Sequence, residues 1–61
     1  MHKPKFVIYV DARGYFRWRL VAGNGEKVAA SEAYASKQNA INSAERVKVT
    51  AWEAIIVDST K

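Results

Sequence analysis

The chain has 61 residues, 49% of them hydrophobic, a net charge of +4 and no cysteine. A chain this short buries only about 60% of the surface that its unfolded form exposes, so the expectation is one small domain, 1–61, of modest stability. Disulfides, thiolate metal sites and thiol nucleophiles are excluded, and His2 is the single histidine, which leaves self-association as the staple open to a domain of this size.

The first predicted element is KFVIYV (5–10), rich in β-branched and aromatic residues and hence a strand. DARG (11–14) follows as a turn, with Asp at a favoured first position and Gly where a left-handed residue is needed. YFRWRLVA (15–22) is a second strand. NG (24–25) is the strongest short hairpin signal available, because a type I′ turn needs positive φ at both central residues. EKVAAS (26–31) returns as a third, shorter strand. The three segments form an antiparallel meander.

The period then changes. Ser36 can cap a helix, its hydroxyl accepting an orphan N–H of the first turn. From Lys37 to about Val49, Ala40, Ile41, Ala44 and Val47, with Ala51 at the margin, form a narrow apolar stripe. AIIV (54–57) reads as a last strand. The expected fold is α+β, in the order β-β-β-α-β, with the helix packed on the sheet.

Register follows from the hydrophobic pattern. A type I turn ending in a left-handed Gly14 pairs Asp11 with Tyr15, and then Val10 with Phe16, Ile8 with Trp18 and Phe6 with Leu20. Every large apolar residue of the two strands then falls on one side. A four-residue loop would set Ile8 beside Arg17 and Phe6 beside Arg19, splitting the core, because a one-residue slip turns a whole strand over. A two-residue NG loop pairs Val21 with Val28 and Arg19 with Ala30.

The opposite face then carries Val7, Tyr9, Tyr15, Arg17, Arg19, Val21, Val28 and Ala30. A solvated face alternates to polar residues, and this one is too apolar for that. A second layer is therefore expected over it. AIIV gives the same message, with Ile55 and Val57 pointing one way and Ala54 and Ile56 the other.

Function follows less directly. No Ser-His-Asp set, metal-ligand cluster, paired carboxylates or phosphate loop is present: AGNGE joins two strands, whereas a phosphate loop opens a helix. The expectation is no enzyme, no metal and no cofactor. The first functional reading is a homodimer joined through the second sheet face or a sheet edge, with Tyr9, Tyr15, Arg17 and Arg19 at the interface. The alternative is single-stranded nucleic acid or an acidic partner bound by the same four residues, since basic–aromatic sheet faces stack bases and hold phosphates. Residues 1–27 favour an anionic partner, because they hold six Lys and Arg against two acidic residues and so the whole charge excess. The apolar run after Pro4 is far shorter than the core of a signal peptide, and nothing approaches the ~20 apolar residues of a membrane span, so a cytoplasmic protein is expected.

The pattern F..Y....G.FRWRL.A.NGE, followed by SE.Y.SK and a helix, resembles the YegP-like family of small bacterial and archaeal proteins. Phe6, Tyr9, Gly14, Phe16 to Leu20, Asn24 to Glu26, Ser31, Glu32, Tyr34, Ser36 and Lys37 carry the likeness. The resemblance implies an α+β domain that occurs singly or as tandem copies, with no assigned activity. Val21, where many relatives are expected to be polar or basic, and Trp52, in the variable C-terminal part, depart from the pattern.

Overall fold

A computed structural model describes residues 2–60 of the chain. Three strands, β1 (Lys5–Val10), β2 (Phe16–Val21) and β3 (Lys27–Ala30), form an antiparallel sheet in the order β1-β2-β3, and a helix, α1 (Lys37–Glu53), packs on it. Val10 pairs with Phe16, Ile8 with Trp18 and Phe6 with Leu20. The expected register thus holds.

The first hairpin has the expected chemistry. Gly14 takes φ +90°, and its N–H donates to the Asp11 carbonyl at 3.0 Å while the Asp11 N–H donates to the Tyr15 carbonyl at 2.9 Å. This is a type I turn closed by a left-handed glycine, conformations that a β-carbon would disfavour.

The second hairpin departs from expectation. Only Gly25 has positive φ; Asn24 does not. Gly25 N–H donates to the Ala22 carbonyl, and Ala22 N–H to the Glu26 carbonyl, so this loop repeats the design of the first. The Asn24 side chain explains the change, since its Oδ1 accepts the Glu26 N–H at 3.0 Å and supports the chain without a left-handed Asn. Val21 consequently pairs with Lys27, not with Val28, and a bulge follows in β3. The bulge absorbs Val28 and restores the expected pairing of Arg19 with Ala30.

Beyond β3, Ser31 N–H donates to the Trp18 carbonyl, while the Ser31 hydroxyl replaces a main-chain acceptor for the Trp18 N–H at 2.9 Å. Tyr34 then exchanges a pair of main-chain bonds with Phe16, both at 2.8 Å, and delivers the chain to the helix. Ser36 caps α1 as expected, accepting the Asn39 N–H at 3.1 Å.

The helix continues past the expected Val49 to Glu53. Its side toward the sheet is made small by Ala40 and Ala44, both buried, so the backbone comes close to β2. Trp18 fills the space between, with the Phe6 ring edge-on to it at a centroid distance of 5.1 Å.

The expected last strand is not formed. Ala54 is extended, with φ −73° and ψ 141°, and residues 54–57 stand clear of the sheet. The physical reason is the longer helix. It carries the chain beyond the sheet before releasing it, and AWEAIIV contains no turn residue that would bring it back.

Candidate interaction surface

The face of the sheet away from α1 carries the residues singled out from the sequence. Arg17 and Arg19 are neighbours of Tyr9 and Val7 across the β1–β2 ladder, because Tyr9 pairs with Arg17 and Val7 with Arg19. The two arginines are held differently. Arg17 Nε donates to Asp11 Oδ2 at 2.7 Å, and its Nη1 reaches the Ser31 carbonyl at 3.4 Å. Arg19 lays its guanidinium over the Tyr9 ring, 4.5 Å from the centroid, an arrangement in which the cation meets the negative face of the ring. Tyr15 lies just outside β2, in the turn, and is exposed. The sheet therefore brings Tyr9, Arg17 and Arg19 together, with Tyr15 at their margin.

Asp11 organises this end of the face. Oδ1 accepts the N–H groups of Arg13 and Tyr15, each at 2.9 Å, while Oδ2 takes Arg17. The Arg17 hydrogen bond, followed by the Tyr15 N–H, holds the Asp11 carboxyl below its ordinary value of 3.8. A carboxylate with a depressed folded value stabilises the fold above its unfolded value and loses that contribution as pH falls through the folded one. Acid below about pH 4 is thus expected to release Arg17 and disturb the turn. Asp11→Asn keeps an Oδ1 acceptor for the turn but has no charge to titrate. An NMR titration should show Arg13 and Tyr15 amide shifts moving below pH 4 in the native chain and staying flat in D11N.

No described element lies over this face. Val28 is exposed, and Val7, Tyr9 and Val21 are only half-buried. On the other side of the sheet a groove of about 500 Å³ runs between β1 and α1, lined by Phe6, Ile8, Leu20, Ile41 and Ala44 with Lys5, Glu45 and Lys48 on its rim. A more polar depression of similar size lies on the opposite flank of the helix, beside Tyr34, Asn42, Ser43 and Arg46.

The most exposed large apolar residues lie off both sheet faces, at the end of α1 and just after it. Trp52, in the last turn of α1, is 89% exposed, and Ile55, Ile56 and Val57 are 83%, 99% and 73% exposed. The continuous apolar run of 54–57 marks it as strand-like, but the sequence does not say that it would be unpaired. Among the described residues no group of three His, Cys, Asp or Glu could hold a metal ion, and no helix is long and apolar enough to cross a membrane.

Residues 11–58 match a family described as Domain of unknown function (DUF1508). A UPF0339 protein of Treponema denticola is 46% identical over 54 residues, 88% of this chain and 93% of its own length. A UPF0339 protein of Stutzerimonas stutzeri is 48% identical over 46 residues, which are 75% of this chain but only 41% of that protein. A protein from Haloferax volcanii, solved by NMR, superposes with a TM-score of 0.81 at 43% identity, covering 97% of this chain and all of that one. The register, the paired turns and these likenesses agree: the chain belongs to the DUF1508/UPF0339 family, the YegP-like proteins of bacteria and archaea, for which no activity is assigned.

Proposed function

We propose that this protein is a homodimeric interaction module with no chemistry of its own. The observation that carries the reading is its surface. The chain exposes 5311 Å², whereas a compact monomer of this mass exposes about 3,950 Å². The excess, on the order of 1,400 Å², exceeds the roughly 800 Å² per partner of a standard stable interface. Shape agrees with area. The radius of gyration is 13.3 Å, against about 10.5 Å for a compact chain of this length.

The interior supports the same reading. Among the described residues only Trp18, Ala40 and Ala44 are buried apolar residues, a thin core for an independent domain. The Stutzerimonas relative, in which the matched stretch fills 41% of the length, has room for a second such domain in one chain. A lone copy would meet the same need by pairing with itself.

Nucleic acid finds less to work with on the same face. Arg17 is committed to Asp11, and the Arg19 guanidinium occupies the side of Tyr9 on which a base would stack.

Sedimentation equilibrium at 1 to 100 µM tests the proposal. A mass near twice 6.8 kDa is expected, with dissociation only toward the dilute end. A single monomeric species throughout would overturn it.

A further inference from the structure

The depression on the Tyr34 flank of α1 holds polar groups whose bonding capacity the fold leaves partly unused. We infer that it binds a small zwitterion, with a carboxylate at one end and an ammonium at the other. A free amino acid and a short peptide both have this chemistry. The inference is independent of the homodimeric reading, because these residues stand on the flank of the helix away from the β1 groove.

The helix supplies the donors. Asn42, Ser43 and Arg46 all line the depression, as residues three and four apart share one side of a helix. Ser43 Oγ accepts from Trp18 Nε1 at 3.0 Å and from the Tyr34 hydroxyl at 2.8 Å. Both its lone pairs are then used, and its own proton has no acceptor among the described residues. The Asn42 amide is oriented in a similar way. Its Oδ1 accepts Gln38 Nε2 at 2.9 Å, so its capacity to donate is what remains for a ligand. Arg46 is exposed and has no carboxylate in ion-pair contact among the described residues. A hydroxyl, an amide and a guanidinium together suit a carboxylate, whose two oxygens match the fork of an arginine.

Glu32 supplies the opposite charge. It lines the same depression, yet it does not pair with Arg46: the one ion pair among the described residues joins Arg17 to Asp11. A simple anion would meet the repulsion of Glu32, and a simple cation that of Arg46. A molecule with both charges satisfies the two at once.

The remaining lining fits the body of such a molecule. The half-buried Tyr34 and Val47 offer apolar surface beside the charged groups. Tyr34 is fixed twice, by its main-chain bonds to Phe16 and by its hydroxyl on Ser43, so this wall is formed before a ligand arrives. The volume, about 500 Å³, lies within the ~300–1,000 Å³ of small-molecule sites.

NMR titration of the full chain tests the inference, with the Trp18 indole N–H as reporter because it donates to Ser43. The probes are leucine and leucyl-glycine, compared with N-acetyl-leucine, leucinamide and inorganic phosphate. A zwitterion is expected to move the indole signal and the Ser43 and Arg46 amides saturably. Each probe with a single charge should bind at least about tenfold more weakly, since a charge-assisted hydrogen bond is lost. Saturation by leucine marks an amino-acid site, and saturation by the dipeptide alone marks a peptide site. Glu32→Gln and Arg46→Gln change exposed residues, and each should weaken the zwitterion about tenfold. Glu32→Gln should also strengthen N-acetyl-leucine, a crossover that damage to the fold cannot produce. Phosphate or N-acetyl-leucine binding as tightly as leucine would overturn the zwitterion in favour of a plain anion. No saturable shift with either zwitterion would overturn the site itself.

Discussion

Trp18→Ala is expected to unfold the domain. Trp18 is the one large apolar side chain buried among the described residues, and it meets both the Phe6 ring and the helix. Truncating a buried tryptophan to alanine costs about 3–5 kcal/mol. A domain of this length has a total stability of about 3–9 kcal/mol at typical values per residue, so the loss takes most of it. The alanine side chains that face the tryptophan from the helix cannot close the space, because Ala40 and Ala44 are already at their smallest useful size. Far-UV circular dichroism and amide dispersion at 25 °C check the result. A folded variant within 1 kcal/mol of the native chain would mean that the core is centred elsewhere. Trp18→Phe should be milder, since it keeps a ring against Phe6 and loses the indole hydrogen bond.

That hydrogen bond leads to the second prediction. Ser43 accepts from two donors at once, Trp18 Nε1 at 3.0 Å and the Tyr34 hydroxyl at 2.8 Å. A serine oxygen has two lone pairs, so a single hydroxyl on α1 ties β2 and the segment before the helix together. Ser43→Ala removes the acceptor and only that one heavy atom. The indole N–H is the more enclosed donor, whereas the half-buried Tyr34 hydroxyl can turn to water. The expected cost is about 2 kcal/mol, read as a lower urea midpoint at unchanged slope. Tyr34→Phe removes one donor while leaving Ser43 to Trp18, and should cost about 1 kcal/mol. A double-mutant cycle gives the coupling directly. Near-zero coupling between Ser43 and Tyr34 would show that their bond contributes nothing to holding the helix.

Ser43 also shows where sequence reasoning loses reach. Its partners stand 25 and 9 residues away, and no periodicity links a polar helix residue to a distant indole. Ser31 is similar, because its hydroxyl stands in for a strand carbonyl only once the chain bends away after Ala30. The β2–β3 loop was open to misreading for a nearer reason. Asn-Gly suits a two-residue hairpin, but one side-chain bond from Asn24 to Glu26 supports the longer loop, and Val28 becomes a bulge.

Among the four residues proposed as a binding face, the sequence placed Tyr9, Arg17 and Arg19 side by side through register alone. Their occupations were not legible. That Arg17 serves Asp11 depends on how the first turn aims a carboxylate back toward β2, and that Arg19 stacks on Tyr9 depends on side-chain direction across the ladder.

Three strands, their order, the register of β1 on β2 and the capped helix were determined by the sequence itself, because each rests on local turn chemistry or on a period that puts Phe6, Ile8, Phe16, Trp18 and Leu20 on one side. The fate of AIIV was decided by tertiary structure. Its apolar pattern is that of a strand, yet a pattern states only that a segment needs partners, not which chain supplies them. The helix, running on to Glu53, carries the segment out of reach of its own sheet. Among the described residues, chain geometry thus leaves residues 54–57 outside the sheet.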